Sequence, residues 1–179
     1  LIWAKPTLTT ANIPSFIKVI QDSSFARCSK LTQIAIPSSV TEIGDYVFNK
    51  CTKLEKIAII PYKEKRIKCI EDKILIYKSE IINENYDTLI WAKPTLTTAN
   101  IPSFIKVIQD SSFARCSKLT QIAIPSSVTE IGDYVFNKCT KLEKIAIIPY
   151  KEKRIKCIED KILIYKSEII NENYDTLIW

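Results

Sequence analysis

The sequence predicts a β-rich repeat solenoid, a stack of short coils made of short strands and short helical or 3₁₀ turns. Three observations predict it. Residues 1–88 recur letter for letter as 89–176. Within each copy a second, imperfect period of 23 appears when Pro14 is set against Pro37. Apolar residues then coincide one for one: Ile17 with Val40, Ile20 with Ile43, Phe25 with Phe48, Cys28 with Cys51 and Leu31 with Leu54. Residues of equal phase are those that neighbouring coils stack on each other.

Each coil has three readable parts. In Leu31-Thr-Gln-Ile34-Ala-Ile36-Pro37 the alternation puts Ile34 and Ile36 on one face of a short strand, and Pro37 ends it because proline cannot donate to a ladder. Val40-Thr-Glu-Ile43 is β-branched and reads as a second short strand. Ser39 to Glu42 also matches a capping box, but its place in a β-like stretch discounts that reading. Phe25 and Cys28, like Phe48 and Cys51, are three apart, which suits one inward-facing helical or 3₁₀ turn. The ladder predicts Ile13, Ile36 and Ile59 in register in the core.

The second half of each copy is less regular. Lys73-Ile-Leu-Ile-Tyr-Lys78 and Asp87-Thr-Leu-Ile-Trp-Ala-Lys93 are strand-like runs joined by a polar stretch, read as a hairpin or as two abbreviated coils. Leu54 and Leu96 are 42 apart, close to two further units, which gives about four coils per copy and about eight in all. No Gly/Ser/Pro-rich linker divides the copies, and the apolar pattern runs on through Asn85 to Trp91. The expectation is one continuous solenoid over 1–179, built from copies 1–88 and 89–176, with 177–179 starting a third. The chain has no methionine and begins and ends at one phase of its period, which reads as a window cut from a longer array.

The string Leu-x-x-Ile-x-Ile-Pro-Ser-Ser-Val-Thr-x-Ile-Gly-Asp-x-x-Phe-x-x-Cys-x-x-Leu, from Leu31 to Leu54 and again from Leu119 to Leu142, resembles the BspA-type leucine-rich repeat. Lys73-Ile-Leu-Ile-Tyr-Lys followed by Asp87-Thr-Leu-Ile-Trp is similar to a hairpin that interrupts arrays of that family. The resemblance covers nearly the whole chain, most strongly 8–60 and 96–148. Glu64 and Asp72 depart from it, standing at phases that are apolar in the regular units, which puts the third coil in question. The resemblance implies a right-handed leucine-rich-repeat coil stack on surface or secreted proteins of anaerobic bacteria and parasitic protists, associated with adhesion. It implies no catalytic residues, no cofactor and an extracellular or cell-surface location.

Composition narrows the chemistry. A net charge of +6 with 46% hydrophobic and 26% charged residues describes a chain that buries a core, not a disordered tail. The absence of histidine removes every Ser/His/Asp and Cys/His arrangement and every His-containing zinc site. With two glycines there is no phosphate-cradling loop, and no run of 18 apolar residues exists to enter a membrane. Cys28, Cys51 and Cys69 are spaced by 23 and 18, far from zinc-knuckle or C-x-x-C spacing. For Cys28 and Cys51 a disulfide between stacked coils competes with free thiols used as small core residues, and the phenylalanines beside them favour the thiols. Glu71-Asp72 is the one adjacent acidic pair per copy and reads as a solvated turn rather than acid/base machinery. Lys63-Glu-Lys-Arg-Ile-Lys68 is the densest basic stretch; its internal glutamate and lack of aromatics make it a solvated face rather than a nucleic-acid site. Trp3, Trp91 and Trp179, with Tyr77 and Tyr165, are expected against the hairpin more than on a binding surface.

Three functions compete: a repetitive, fibre-forming scaffold; an adhesion ectodomain binding a protein or matrix ligand; and a deliberate tandem of one natural segment. The irregular hairpin copied unchanged argues against consensus design. Thr10, Asn12, Gln33 and Lys56 are the candidate contacts on the sheet face, beside Ala35 and Ala58; with no Trp, Tyr or Arg among them, the face suits weak multivalent contact rather than one tight site. Leu1, Ile2, Trp3, Leu177, Ile178 and Trp179 are the candidate assembly ends, where head-to-tail self-association would give an open filament. Nucleic acid and membrane insertion are not expected partners of this segment.

Overall fold

The computed structural model describes residues 1–60, 66–71, 73–78, 86–148, 155–158, 162–165 and 176–177, with side chains as far as 147. The first copy holds strands β1 (Thr10–Asn12), β2 (Val19–Ile20), β3 (Gln33–Pro37), β4 (Glu42–Ile43), β5 (Lys56–Ile60), β6 (Ile67–Ile70), β7 (Ile74–Lys78) and β8 (Tyr86–Ala92). The second repeats them as β9 (Thr98–Asn100), β10 (Val107–Ile108), β11 (Gln121–Pro125), β12 (Glu130–Ile131), β13 (Lys144–Ile148), β14 (Ile155–Ile158), β15 (Ile162–Tyr165) and β16 (Thr176–Leu177).

The period of 23 is the register of the solenoid. Thr10 faces Gln33 and Gln33 faces Lys56 in a parallel sheet, and Val19 faces Glu42 in a second, smaller one. The turns are laddered too: the Ser23, Phe25 and Arg27 amides donate to the carbonyls of Asp45, Val47 and Asn49 at 2.8, 3.1 and 2.7 Å. Side chains add rungs of the same period. The Thr32 and Thr41 hydroxyls donate to the carbonyls of Thr9 and Lys18, and Ser39 donates to Ile17. These hydroxyls explain the Ser39-to-Glu42 motif without a helix. Ile20, Phe25, Cys28, Leu31 and their partners one coil on, Ile43, Phe48, Cys51 and Leu54, are all buried. Ile13 and Ile36 are buried as the ladder predicts, while Ile59 is half-buried because β5 is the edge of its sheet.

At the corners the expected helical turn is a single hydrogen-bonded turn. Cys28 and Cys51 amides donate to Phe25 and Phe48 carbonyls at 3.1 and 3.0 Å, yet no helix forms among the described residues. Ser23 and Arg27 flank the turn at φ 57° and 66°, and Tyr46 and Lys50 at 56° and 66°; the left-handed region stops a right-handed helix on both sides.

Gly44 is set by close approach. A Cβ there would meet the carboxylate of Asp22 and lie 2.6 Å from its backbone nitrogen, while the same carboxylate accepts the Asp45 amide at 2.8 Å. Backbone cannot yield as a flexible side chain does, so Gly44→Ala should cost ~1–3 kcal/mol in urea unfolding, the range of overpacking. A loss under ~0.5 kcal/mol, the size of an ordinary surface change, would mean that the coils separate freely there.

In the second half of each copy the hairpin reading of Lys73–Lys78 with Asp87–Lys93 holds, β7 pairing antiparallel with β8, and the coil count is corrected. The segment expected to supply coils three and four contains an antiparallel meander: Ile67 pairs with Tyr77, and Ile74 with Ala92. The main sheets hold three rungs per copy, and the whole makes about five turns rather than eight. The meander explains the consecutive apolar run Ile74-Leu75-Ile76, which fits a strand buried on both faces. Leu75 packs into the core of the first copy; Ile74 and Ile76 pack into that of the second. A β-bulge lets both Ile90 and Trp91 reach the first core, because Leu75 faces Trp91 while Ile76 faces Leu89. Strand β8 then pairs in parallel with β10, Leu89 facing Ile108, and so starts the next ladder. The backbone of β14–β15–β16 repeats the meander, with Ile155 facing Tyr165 and Ile164 facing Leu177.

Candidate interaction faces and the copy junction

The sheet face is where the sequence places it. Thr10, Gln33 and Lys56 form one exposed column, and Asn12, Ala35 and Ala58 the next, half-buried at the alanines. Thr98, Gln121 and Lys144 repeat the first column. These side chains stand ~4.8 Å from rung to rung, the spacing of paired strands.

Between the meander and the start of the second sheet lies a cleft of about 280 Å³, lined by Ile70, Ile74, Leu96, Thr98 and Asn100. Its rim carries Glu71 and Lys73, paired at 2.8 Å and both exposed. The Lys73 ammonium holds the Glu71 carboxyl below its usual range, first through the hydrogen bond and then through charge. Glu71 thus stands in a solvated turn; Asp72 lies outside the described residues, as does Glu64. The cleft combines an apolar floor with hydroxyl and amide groups. Among the described residues no group of acids and cysteines is arranged to hold a metal, and no helix is long and apolar enough to cross a membrane.

The contact between copies is more elaborate. Trp91 meets Phe48 of the preceding coil edge-on, ring centroids 6.4 Å apart. The Gln109 amide donates to the Asp45 carboxylate across the junction. The Asp110 carboxylate, foremost as a hydrogen-bond acceptor, then desolvation and the charge of Asp110 push the Tyr46 hydroxyl well above 10. Arg66 donates to the Thr41 carbonyl at 3.2 Å, and the Tyr77 hydroxyl donates to the same carbonyl at 2.8 Å, pinning the meander onto the second coil. Arg66 therefore belongs to the framework and not to a free basic loop; residues 63–65 lie outside the described residues.

Identical residues fare differently on the two sides of this contact. Trp91 is 4% exposed and Trp3 66%; Ile90 is 7% exposed and Ile2 81%. Tyr46 is half-buried while Tyr134 is exposed. Of the candidate ends, Leu1 is half-buried and its amino group donates to the Val19 carbonyl at 2.6 Å. Leu177 lies on β16, and Ile178 and Trp179 lie outside the described residues. The burial expected for the tryptophans holds at Trp91 and fails at Trp3, because the burying surface belongs to the preceding copy and not to the local sequence. No feature near Tyr46 or Gln109 signals their pairing, since their partners are 64 residues away.

Cys28, Cys51, Cys116 and Cys139 are buried free thiols. Cys51 donates to the Phe25 carbonyl at 3.0 Å and Cys139 to Phe113 at 3.1 Å, so each thiol proton serves the inter-coil ladder. Burial pushes the Cys51 thiol from 9.0 up to about 12 and that of Cys139 up to about 11. The unfolded thiol ionises first, so stability contributed by the protonated form is complete below pH 9.0 and is lost as pH rises towards 12. Thermal melts should fall above that lower bound, and less steeply in Cys51→Ala. An unchanged slope in the variant would remove the thiol from the account.

Stacked parallel rungs of period 23, apolar phases turned inward and a polar sheet face outward define a leucine-rich-repeat scaffold. The family model for the BspA type leucine rich repeat region matches residues 3–87 and 89–174, in six copies. The chain belongs to this family. Among solved structures it is similar to a leucine rich cell surface protein of Faecalibacterium prausnitzii, at 24% identity and TM-score 0.60, covering 78% of this chain and 41% of that one. It is also similar to a leucine-rich repeat protein of Eubacterium ventriosum, at 28% identity and TM-score 0.55, covering 76% and 41%. A third is the pneumococcal vaccine antigen PcpA, at 20% identity and TM-score 0.61, covering 78% and 39%. The chain thus spans about two fifths of the length of these structures. No curated protein matches it in sequence.

Proposed function

We propose that the protein is a non-enzymatic structural array on the cell surface, in which identical 88-residue units follow one another through one repeated junction. The observation that carries this reading is the junction itself: Ile90 and Trp91 are buried against the preceding copy, Trp91 edge-on to Phe48. A second chain can offer Trp3 the surface that Phe48 offers Trp91. Head-to-tail stacking between chains is a heterologous contact and gives an open filament unless the rotation closes. The surface location rests on the family and on the description of the F. prausnitzii relative. A second reading, an adhesive ectodomain for a protein or matrix ligand, draws support from the polar columns, which recur in both copies and suit multivalent contact, and from the cleft at the copy junction.

Tryptophan emission and light scattering across a concentration series test the array. The expected result is a blue shift as Trp3 becomes buried, with a parallel rise in scattering, both reduced in Trp3→Ala. A monomer with unshifted emission at high concentration would favour the discrete ectodomain.

A further inference from the structure

We propose that the outer turn ridge of the solenoid is a docking surface for a linear sulfated polysaccharide. Each regular turn projects two cations three residues apart: Arg27 and Lys30 on one coil, Lys50 and Lys53 on the next. Hydrogen bonds between the turns set the spacing, and Phe25 lies 5.9 Å from Phe48 beneath them. The second copy repeats the pattern with its phenylalanine rings at 5.8 Å. Lys93 fills the interval between the copies: its carbonyl accepts from the Cys116 thiol at 3.7 Å, as that of Lys5 does from Cys28. The cations therefore run in file along the axis.

Cations gather on this ridge. With Lys5, Lys93 and the eight turn cations it carries ten of the 26 Lys and Arg, while Asp22 and Asp45 open the turns and Glu55 follows Lys53 by two residues. Like charges on adjacent rungs repel, and among the described residues none of the four first-copy turn cations is in an ion pair. Arg27 and Lys50 also sit at φ 66°, where glycine or asparagine would be less strained. The two coils differ at the surrounding positions, with Lys18 against Thr41, Ser23 against Tyr46 and Ala26 against Asn49. Both cations are nevertheless kept in both coils. A merely solvated ridge would not need a side chain that costs repulsion and strain.

The chemistry between the cations selects the partner. Ser29 and Thr52 place exposed hydroxyls beside Lys30 and Lys53, so the file offers ammonium, guanidinium and hydroxyl donors to sulfate esters and sugar oxygens. The ridge phenylalanines, Phe25 and Phe48, are buried, and of the tyrosines that open the turns Tyr46 is half-buried and Tyr134 exposed, so the ridge offers no repeated row of aromatic faces on which successive bases stack. Between Ser23 and Leu31 and between Tyr46 and Leu54 no exposed aliphatic residue is available to enter a lipid surface. An extended polyanion spanning several turns would gain avidity with each copy.

The test measures binding of the full chain to heparin at physiological salt. Arg27→Ser with Lys30→Ser, Lys50→Ser and Lys53→Ser removes four charges from the ridge, and Lys18→Ser with Lys106→Ser removes two charges off it, matched in number by the ridge pair Lys30→Ser with Lys53→Ser. The ridge variant should bind about 30-fold more weakly or worse, and the control within about 3-fold, with a matching loss of salt dependence only on the ridge. Thermal melts should place the ridge variant no lower than the parent, since repulsion is relieved. Lys30→Ser with Lys53→Ser, which leaves the strained positions untouched, gives the same direction on a smaller scale if the larger variant misfolds. Equal loss in ridge and control variants, or no binding by the parent, overturns the proposal. Single-stranded DNA of equal charge, or anionic phospholipid vesicles, bound as tightly as heparin and lost with the same ridge residues, would overturn the assignment to a sulfated glycan.

Discussion

Trp91→Ala is expected to cost ~3–5 kcal/mol of unfolding free energy, the range for removing a buried large aromatic, while Trp3→Ala in the identical local sequence should stay within ~0.5 kcal/mol. The difference lies wholly in the neighbour. Trp91 is 4% exposed and meets Phe48 edge-on, whereas Trp3 is 66% exposed. Chemical denaturation of the two variants side by side checks this, and Phe48→Ala extends it: combined with Trp91→Ala the losses should fall short of additive, since each removes the same contact. Equal effects at Trp91 and Trp3 would mean that the junction contributes nothing beyond local packing.

The second large effect belongs to the ladder. Ile36→Ala should cost ~2–5 kcal/mol, because the side chain is fully buried between coils and its removal leaves a cavity shared by both. Ile59→Ala, one rung on, should cost clearly less, since Ile59 is half-buried at the sheet edge. Reversed magnitudes would place the edge of the sheet elsewhere.

The coil was legible because one period governs every part of it. Setting Pro14 against Pro37 aligns strand, corner and core together, and that offset is the observed pairing of Gln33 with Lys56. The same periodicity misled the reading past Leu54. A spacing of 42 to Leu96 fits two more coils in number, but Ile74, Leu75 and Ile76 are consecutive apolar residues, and a coil with one inward face has no place for three. Burial on two faces accounts for them, and it is a property of the second copy's presence. The corner conformation was hidden for another reason: left-handed positions usually announce themselves with glycine or asparagine, and here they hold Arg27 and Lys50. The run at Lys63–Lys68 is the basic stretch visible in the sequence because it is contiguous, whereas the ridge cations are dispersed along the chain and gathered only by the period. Gln109 and Asp45, 64 residues apart, leave no local trace at all.

The meander is a two-faced plug that serves both copies at once. Amide hydrogen exchange on Leu75→Ala and Ile76→Ala tests it most directly, since these neighbours are each fully buried, in different cores. Leu75→Ala should lower protection at Ile34 and Ile36 of the first copy, and Ile76→Ala at Ile122 and Ile124 of the second. Loss of protection in the same copy for both variants, or in neither, would contradict it.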